Sequence, residues 1–172
     1  DALAQLGEIV ETLQADQGIR VVLLTGEGDK AFSAGADLKE RGGFSDDQTT
    51  AFVERIGDTF TAVAALPQPT IAVLNGGAFG GGLELALSCD LRVAAEGIQM
   101  GLTETSLAII PAAGGTQRLT ALIGPARAKE MIFTARRIDT EEALAIGLVN
   151  DVAPAGELRA RASDLAGAIA KN

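Results

Sequence analysis

The glycine-rich stretch 76–90, GGAFGGGLELALSCD, is the part of the chain best suited to chemistry. Five of its first seven residues are glycine, an apolar run with the carboxylate Glu84 follows, and the strand-like segment 70–74 (TIAVL) precedes it. The glycines therefore stand where a strand ends and a helix begins. Glycine lets a ligand approach the backbone, and the first N–H groups of a helix lack partners and carry partial positive charge. Such a turn can bind an anion or stabilise an oxygen that becomes anionic during a reaction.

Three interpretations of this glycine run compete. The glycines can simply permit a tight turn and close helix packing. A phosphate-binding loop is disfavoured because no Gly-Lys-Ser/Thr ending follows, and a dinucleotide-binding fingerprint fits poorly because it should open the first βα unit of a domain. The third interpretation is an oxyanion hole with a carboxylate, Glu84, one turn away. A second isolated acid, Glu104, is the single charge of the segment 102–110, although a lone glutamate in such a stretch is most often a surface carboxylate.

The composition excludes several classes of site. The 172 residues contain no histidine, which rules out Ser-His-Asp and Cys-His catalysis and any histidine metal site within this chain. A net charge of −9 disfavours a general nucleic-acid or anionic-membrane surface. The single cysteine, Cys89, allows no intrachain disulfide and is expected to be a small core residue.

No stretch of the sequence predicts a membrane span. The segment 59–83 carries no charge, but Pro67, Pro69 and the glycines interrupt it before it reaches the ~20 apolar residues that a span needs. No signal-peptide pattern is found at the N-terminus. The expectation is a soluble protein of the bacterial cytoplasm or, in a eukaryote, of the mitochondrial matrix.

Hydrophobic periodicity predicts an alternation of helices and strands. Helices are predicted over 1–16, 48–65, 81–88, 116–123, 125–133, 140–146 and 156–171, and strands over 21–25, 70–74, 91–95, 98–100 and 149–152. The segment 30–40 is predicted as a loop, the segment 42–50 as a charged and mobile stretch, and Thr140 as a helix cap. This alternation predicts one α/β domain over residues 1–172, with helices covering a largely parallel sheet.

Three motifs together resemble the enoyl-CoA hydratase/isomerase (crotonase) family. They are AFSAGADLKE (31–40), GGAFGGGLELALSCD (76–90) and MGLTETSLAIIPAAGGTQRL (100–119), and the likeness continues through ALAIGLV (143–149). Their order and spacing are more specific than any one motif. The resemblance implies a ClpP/crotonase-like spiral of ββα units that binds acyl-CoA thioesters, with coenzyme A as part of the substrate and no further cofactor or metal.

The resemblance also implies roles for individual residues. The backbone amides of Ala36 and Gly81 would form the oxyanion hole for the thioester oxygen. Glu84 would orient and activate the water that attacks Cβ, and Glu104 would give a proton to Cα. The remaining substrate- and CoA-binding positions that it implies are Ala34, Gly35, Asp37, Leu38, Lys39 and Gly80.

The sequence departs from the family pattern at both ends. The family has a strand pair before its first helix, and C-terminal helices that cover the acyl pocket and build a trimer; neither is found within these 172 residues. The domain is therefore expected to be a core truncated at both ends. In the full-length protein, the resemblance implies a homotrimer or a dimer of trimers.

Several functions remain in competition. The presence of both glutamates favours reversible hydration of a 2-enoyl-CoA, because isomerases and decarboxylases of the family often lack one of the two acids. The motif sequences look closest to the branch that includes methylglutaconyl-CoA hydratases. RNA binding is disfavoured by the net charge, because Arg136 and Arg137 are the only adjacent arginines. A non-catalytic scaffold would not need both glutamates, and a Clp-type protease would need a histidine.

Overall fold

The computed structural model describes residues 2–28, 30–36 and 43–172. Its helices are α1 (Ala2–Ala15), α2 (Asp46–Ala64), α3 (Gly81–Ser88), α4 (Gly115–Ile123), α5 (Pro125–Thr134), α6 (Thr140–Ala145) and α7 (Leu158–Ala170), with a short 3-10 helix at Glu104–Leu107. Its strands are β1 (Val22–Thr25), β2 (Ala31–Ser33), β3 (Thr70–Leu74), β4 (Gly77–Phe79), β5 (Leu91–Ala95), β6 (Gln99–Gly101), β7 (Ile138–Asp139) and β8 (Asp151–Ala153).

The strands form two four-stranded sheets rather than the single sheet expected from the sequence. The first sheet has the order β1-β3-β5-β8 and the second has the order β2-β4-β6-β7. All pairs are parallel except the antiparallel pair of β6 and β7. Each ββα unit therefore gives its first strand to one sheet and its second strand to the other. Repetition of this unit produces the expected spiral.

Tight corners pass the chain from the first sheet to the second. A Cβ at Gly26 would lie 2.4 Å from the carbonyl oxygen of Ala31, and a Cβ at Gly76 would lie 2.5 Å from the Ala31 amide nitrogen. Only glycine allows the backbones to approach this closely. The side chain of Asn75 ties two corners together, since it accepts a 3.0 Å hydrogen bond from the Gly26 amide and donates a 3.1 Å bond to the Gly26 carbonyl.

Both faces of the first sheet are covered by apolar side chains. All five residues of β3 are buried, as expected for a strand inside a parallel sheet with both faces packed. On one face, Ile71 and Val73 pack with Leu158 and Ala162 of α7. On the other face, neighbouring positions of β3 and β5 join the main core. The predicted core position of Cys89 is confirmed, because its side chain is buried in that main cluster.

Two short strands, β2 and β4, were not predicted from the sequence; each is the second strand of its ββα unit. Strand β2 lies within the predicted loop 30–40, and β4 lies within the predicted glycine turn. Each of these strands has only three residues, which is too short for an alternation of apolar and polar positions to be recognised. They are held as strands by parallel pairing in the order β2-β4-β6.

Two helix starts also differ from the prediction. Helix α2 begins at Asp46, so residues 46–50 of the segment predicted to be mobile are helical. A capping box fixes this start, in which Ser45 and Gln48 exchange side-chain-to-backbone hydrogen bonds. Thr140 is the first residue of α6 rather than its cap; the Asp139 carboxylate accepts from the Glu142 amide at 2.8 Å and serves as the cap.

Candidate active site

A cavity of about 670 Å³ opens at the ends of β2, β4 and β6. The segments that follow these three strands form one wall, and apolar side chains of α1 and α2 form the opposite wall. The apolar and aromatic residues on these walls include Leu3, Leu6, Phe52, Val53, Ile56, Phe60, Phe79, Leu107, Ile109 and Ile110. Its charged lining residues, among those described, are Glu84, Glu104 and Arg137. The cavity is therefore an apolar pocket with a small number of ionisable groups, as is typical of ligand sites.

Two backbone amides come together on the wall after β2 and β4. Gly80 has φ 53° and ψ −126° and precedes α3 without a side-chain cap, so Gly81 starts the helix. A Cβ added at Gly35 would lie 3.0 Å from the Gly81 nitrogen, and a Cβ added at Gly81 would lie 3.9 Å from the Ala36 nitrogen. Within the described ranges, neither the Ala36 amide nor the Gly81 amide donates to a protein group. Two amides without an acceptor among the described residues thus lie close together at the cavity.

Glu84 is buried on the first turn of α3, with 4% of its surface exposed. One carboxylate oxygen, Oε1, accepts hydrogen bonds of 2.8 Å from the amide of Ala113 and of 2.8 Å from the amide of Gly115. Burial raises the pKa of Glu84, whereas these two amides and the charge of Arg118 oppose the rise. Hydrogen bonds to a carboxylate favour its ionised form. The two amides therefore fix the position of the Glu84 side chain and also stabilise its negative charge.

Arg118 fixes the loop that holds Glu84. Its Nη1 donates a 2.8 Å hydrogen bond to the carbonyl oxygen of Ala113. Gly114 adopts φ +95°, and a Cβ there would lie 2.2 Å from the same Nη1, so the guanidinium covers the loop where a side chain would stand. Arg118 lies on α4, and its contact is with the loop that precedes the helix.

Glu104 has a different environment, although it lies in the same cavity. It starts the 3-10 helix after β6 and is 9% exposed. Its Oε1 would be 3.3 Å from a Cβ at Gly80, which shows that its carboxyl group packs directly against the start of α3. Its Oε2 is buried without a hydrogen-bond partner among the described residues. Burial raises the pKa of Glu104 to about 7; a bond from its own backbone opposes the rise, and the negative charge of Glu84 adds to it.

The two glutamates are therefore unequal. Glu84 contributes to the raised pKa of Glu104, so their charges interact across the cavity. Glu84 has two amide donors and a nearby cation, whereas Glu104 has a buried oxygen with no hydrogen-bond partner in the described part of the chain. Two carboxyls whose environments differ in this way can divide the work of base and acid.

The structure brings most of the residues named from the sequence to this cavity. Ala34, Gly35, Ala36, Gly80, Gly81, Glu84 and Glu104 all line it. Asp37, Leu38 and Lys39 lie outside the described residues. Four apolar residues of the third motif divide between cavity and core: Ile109 and Ile110 line the cavity, whereas Met100 and Leu102 are completely buried in the core.

Sequence reasoning missed three contributors to the site. The amides of Ala113 and Gly115 hold Glu84, yet the PAAGG segment that contains them predicts only a turn. Arg137 also lines the cavity. The signal that could have identified the loop is its glycine pair, Gly114 and Gly115, since a Cβ at Gly115 would lie 2.8 Å from Glu84 Oε1. Among the described residues, no group of His, Cys, Asp or Glu side chains could hold a metal ion.

The spiral of ββα units, with its cavity at the strand ends of the second sheet, is a crotonase fold. The chain belongs to the enoyl-CoA hydratase/isomerase family, because a sequence model of that family matches residues 1–172. The structure is similar to the crystal structure of an enoyl-CoA hydratase from Bacillus anthracis, with a TM-score of 0.97 and 53% identity, covering 99% of this chain and 66% of that one.

Two relatives of similar sequence carry different activity names. The putative enoyl-CoA hydratase/isomerase YngF of Bacillus subtilis is 52% identical over 172 residues, which is 100% of this chain and 66% of that protein. The mitochondrial methylglutaconyl-CoA hydratase of Rattus norvegicus is 50% identical over 87% of this chain and 48% of that protein. The chain thus spans between about half and two thirds of the length of these relatives. In the part of the chain that the structure describes, no helix is long and apolar enough to cross a bilayer.

Proposed function

We propose that this chain carries the catalytic centre of an enoyl-CoA hydratase, which adds water reversibly and syn to a 2-enoyl-CoA to give a 3-hydroxyacyl-CoA. The observation that carries the proposal is the unequal pair of Glu84 and Glu104 in one cavity. Hydration needs a base for the water and an acid for the α-carbon, and the two environments suit these two tasks.

Glu84 acts as the base in this mechanism. Its Oε1 is held by the amides of Ala113 and Gly115, which fix the carboxylate and favour its ionised form. The other oxygen accepts a hydrogen bond from the attacking water and takes its proton as the oxygen bonds to Cβ. General base catalysis of this kind contributes typically ~10²–10⁴-fold to a rate.

Glu104 acts as the acid. With a pKa of about 7, a substantial fraction of Glu104 is protonated near neutral pH, and this form gives its proton to Cα. In the reverse direction the ionised form removes the α-proton. Its Oε2 has no hydrogen-bond partner among the described residues, and Glu104 lines the cavity, which supports a role for this carboxyl group towards a bound substrate.

The amides of Ala36 and Gly81 bind the thioester oxygen. Attack at Cβ moves electrons through the double bond to this oxygen and forms an enolate, whose negative charge requires donors that are already in position. This role is supported by the proximity of the two amides and by the absence of another acceptor for them among the described residues. Losing one oxyanion donor typically costs about 3–4 kcal/mol in barrier.

The reaction balances without a cofactor. One O–H bond of water breaks and a C–O bond forms at Cβ, while the Cα–H bond forms with the proton of Glu104. Glu84 ends protonated and Glu104 ends ionised, and exchange with solvent restores the starting pair. Coenzyme A enters only as the thioester part of the substrate.

Loss of the enoyl-thioester absorbance of crotonyl-CoA measures this activity in the full-length protein. We expect Glu84→Gln and Glu104→Gln each to lower turnover by ~10²–10⁴-fold, with an unchanged circular dichroism spectrum. Glu96→Gln is the matched control, because Glu96 is exposed and lies outside the cavity. Full activity in either cavity variant overturns the assigned roles.

Two neighbouring reactions are the alternatives. The 50% identity to the rat methylglutaconyl-CoA hydratase favours a branched dicarboxylic enoyl-CoA as a second candidate substrate for the same hydration. An enoyl-CoA isomerase would shift the double bond without adding water, and one of the two glutamates would suffice. Product analysis by mass separates them, since only hydration adds the mass of water.

We also propose that the full-length protein assembles as a trimer or a dimer of trimers. Apolar side chains near the cavity rim support this, since Leu107 is 51% and Ile110 is 68% exposed, and contiguous exposed apolar surface often marks an interface. Light scattering after size-exclusion chromatography measures the mass. RNA binding has less support, because Arg136 is already paired with Glu142 and Glu130.

A further inference from the structure

Arg137 is the one positively charged side chain among the described residues that line the cavity. It has no role in the hydration chemistry proposed above. In the described ranges it makes no hydrogen bond or ion pair, whereas its neighbour Arg136 is paired with Glu130 and Glu142. This exposed arginine therefore lies on the cavity wall with no hydrogen-bond acceptor among the described residues.

The second sheet holds this arginine in a defined position. Phe79 of β4 pairs with Gly101 of β6, and a Cβ at Gly101 would lie 3.4 Å from the Cα of Arg137. Because Gly101 has no side chain, Arg137 extends over it and places its guanidinium carbon 4.6 Å from the centroid of the Phe79 ring. This cation–π contact holds the guanidinium beside the ring, and within the described ranges its N–H groups donate to no protein acceptor.

The strand order separates Arg137 from the predicted CoA-binding segment. Across the second sheet the order is β2, β4, β6, β7. The segment after β2 contains Ala34–Ala36, Glu104 follows β6, and Arg137 precedes β7. The side chain of Arg137 therefore starts at the edge of the sheet opposite to β2, with the catalytic residues between. This arrangement favours the acyl part of the substrate over the CoA phosphates as its ligand.

We propose that Arg137 binds a carboxylate at the far end of a short 2-enoyl chain, so that the preferred substrates are 2-enoyl-CoA thioesters with a second acid group. The inference rests on the proposed hydratase function and assigns its substrate class. A guanidinium offers two parallel donors that match the two oxygens of a carboxylate. In a cavity that otherwise carries two acidic groups, a second substrate carboxylate requires such a cation.

Two substrates that differ in one carboxylate test this proposal in the full-length protein. Crotonyl-CoA ends in a methyl group, and glutaconyl-CoA carries a terminal carboxylate. We expect Arg137→Gln to lower kcat/KM for glutaconyl-CoA by ~10–100-fold, as expected for loss of a charged hydrogen-bonded pair, and to change kcat/KM for crotonyl-CoA by less than about threefold. Arg137→Lys should retain part of the preference, because it keeps the charge without the planar fork.

Arg127 provides the control for the Arg137 variants. Arg127→Gln removes an exposed cation of α5 outside the cavity and should leave the ratio of the two kcat/KM values unchanged. An equal loss for both substrates in Arg137→Gln would mean that Arg137 binds the CoA portion or supports the fold, and the proposal would be wrong.

A binding measurement keeps the inference separate from the reaction. If the wild-type protein hydrates neither substrate, the proposed function fails, but calorimetry with the saturated thioesters glutaryl-CoA and butyryl-CoA still tests Arg137. Tighter binding of glutaryl-CoA that disappears in Arg137→Gln supports the inference. Equal binding of the two thioesters by the wild-type protein overturns it.

Discussion

Arg118 donates a 2.8 Å hydrogen bond to the carbonyl oxygen of Ala113, whose own amide donates to Glu84. The arginine thus reaches the carboxylate of Glu84 through one loop residue, and its charge opposes the rise that burial causes in the pKa of Glu84. In the proposed mechanism Arg118 is a positioning residue, because it acts on Glu84 and is not required to touch the substrate.

Replacing Arg118 by Gln should reduce kcat for crotonyl-CoA by ~10–100-fold, less than the full contribution of general base catalysis. Removal of the cation should raise the pKa of Glu84 further, and in the proposed mechanism Glu84 works in its ionised form. The acidic limb of the kcat–pH profile should therefore move to higher pH. Arg118→Lys keeps the charge, so its acidic limb should stay near that of the wild type while kcat falls.

The matched control for Arg118 is Arg159→Gln, which removes an exposed cation from α7. It should leave both kcat and the pH profile unchanged. A profile for Arg118→Gln that is lowered uniformly, with no displacement of its acidic limb, would contradict the electrostatic part of the role and leave only loop packing.

Gly115 is the second residue through which the loop controls Glu84. A Cβ at this position would lie 2.8 Å from Glu84 Oε1 and 2.9 Å from its Cγ. The Gly115→Ala variant must push the carboxylate away from its two amide donors. We expect a loss of kcat of about 100-fold, since a displacement of about 1 Å can cost that much, and a loss of unfolding free energy of about 1–3 kcal/mol from overpacking.

Gly167→Ala provides the same chemical change in an open position. Gly167 lies in α7 with nothing within 4 Å of its added Cβ, so alanine should stabilise the helix by up to about 1 kcal/mol and leave kcat unchanged. Urea unfolding gives the free energies for both variants. Wild-type turnover in Gly115→Ala would show that the contact with Glu84 has no consequence for catalysis.

Much of the fold could be predicted from the sequence because its elements are locally encoded. The strand 70–74 and the helix 81–88 match the structure at both ends, since an unbroken apolar run and a glycine-rich helix start are strong local signals. The strands β2 and β4 were missed because three residues carry no periodicity and their pairing is long-range. The division into two sheets was missed for the same reason.

In the candidate site, too, residues within local motifs could be predicted from the sequence, whereas contacts between distant segments could not. Glu84 and Glu104 could be named because each is an isolated charge within a motif that resembles the family. The contact of Glu84 with the amides of Ala113 and Gly115 spans 29 and 31 residues, and no local pattern encodes it. Arg137 was noticed only as one of two adjacent arginines, since its place on the cavity wall depends on the pairing of β6 with β7.

The buried carboxyl of Glu104 should make the stability of the fold depend on pH. Its pKa is raised from 4.5 to about 7 in the folded protein, so the folded state holds a proton that the unfolded state has released between these values. The stabilisation is fully present below the unfolded pKa and is lost as pH rises through the folded pKa. The whole change is on the order of 3 kcal/mol, and Glu104→Gln, which stays neutral, should lack it.

Urea unfolding at about pH 5 and about pH 8 measures this contribution as the difference between the wild type and Glu104→Gln. The variant should gain unfolding free energy relative to the wild type at the higher pH, although it has lost turnover. Glu96→Gln should retain the wild-type pH dependence, because Glu96 is exposed. If Glu104→Gln and the wild type change in parallel between the two pH values, Glu104 is not held as a neutral acid in the folded cavity, and its role as the proton donor to Cα loses its physical basis.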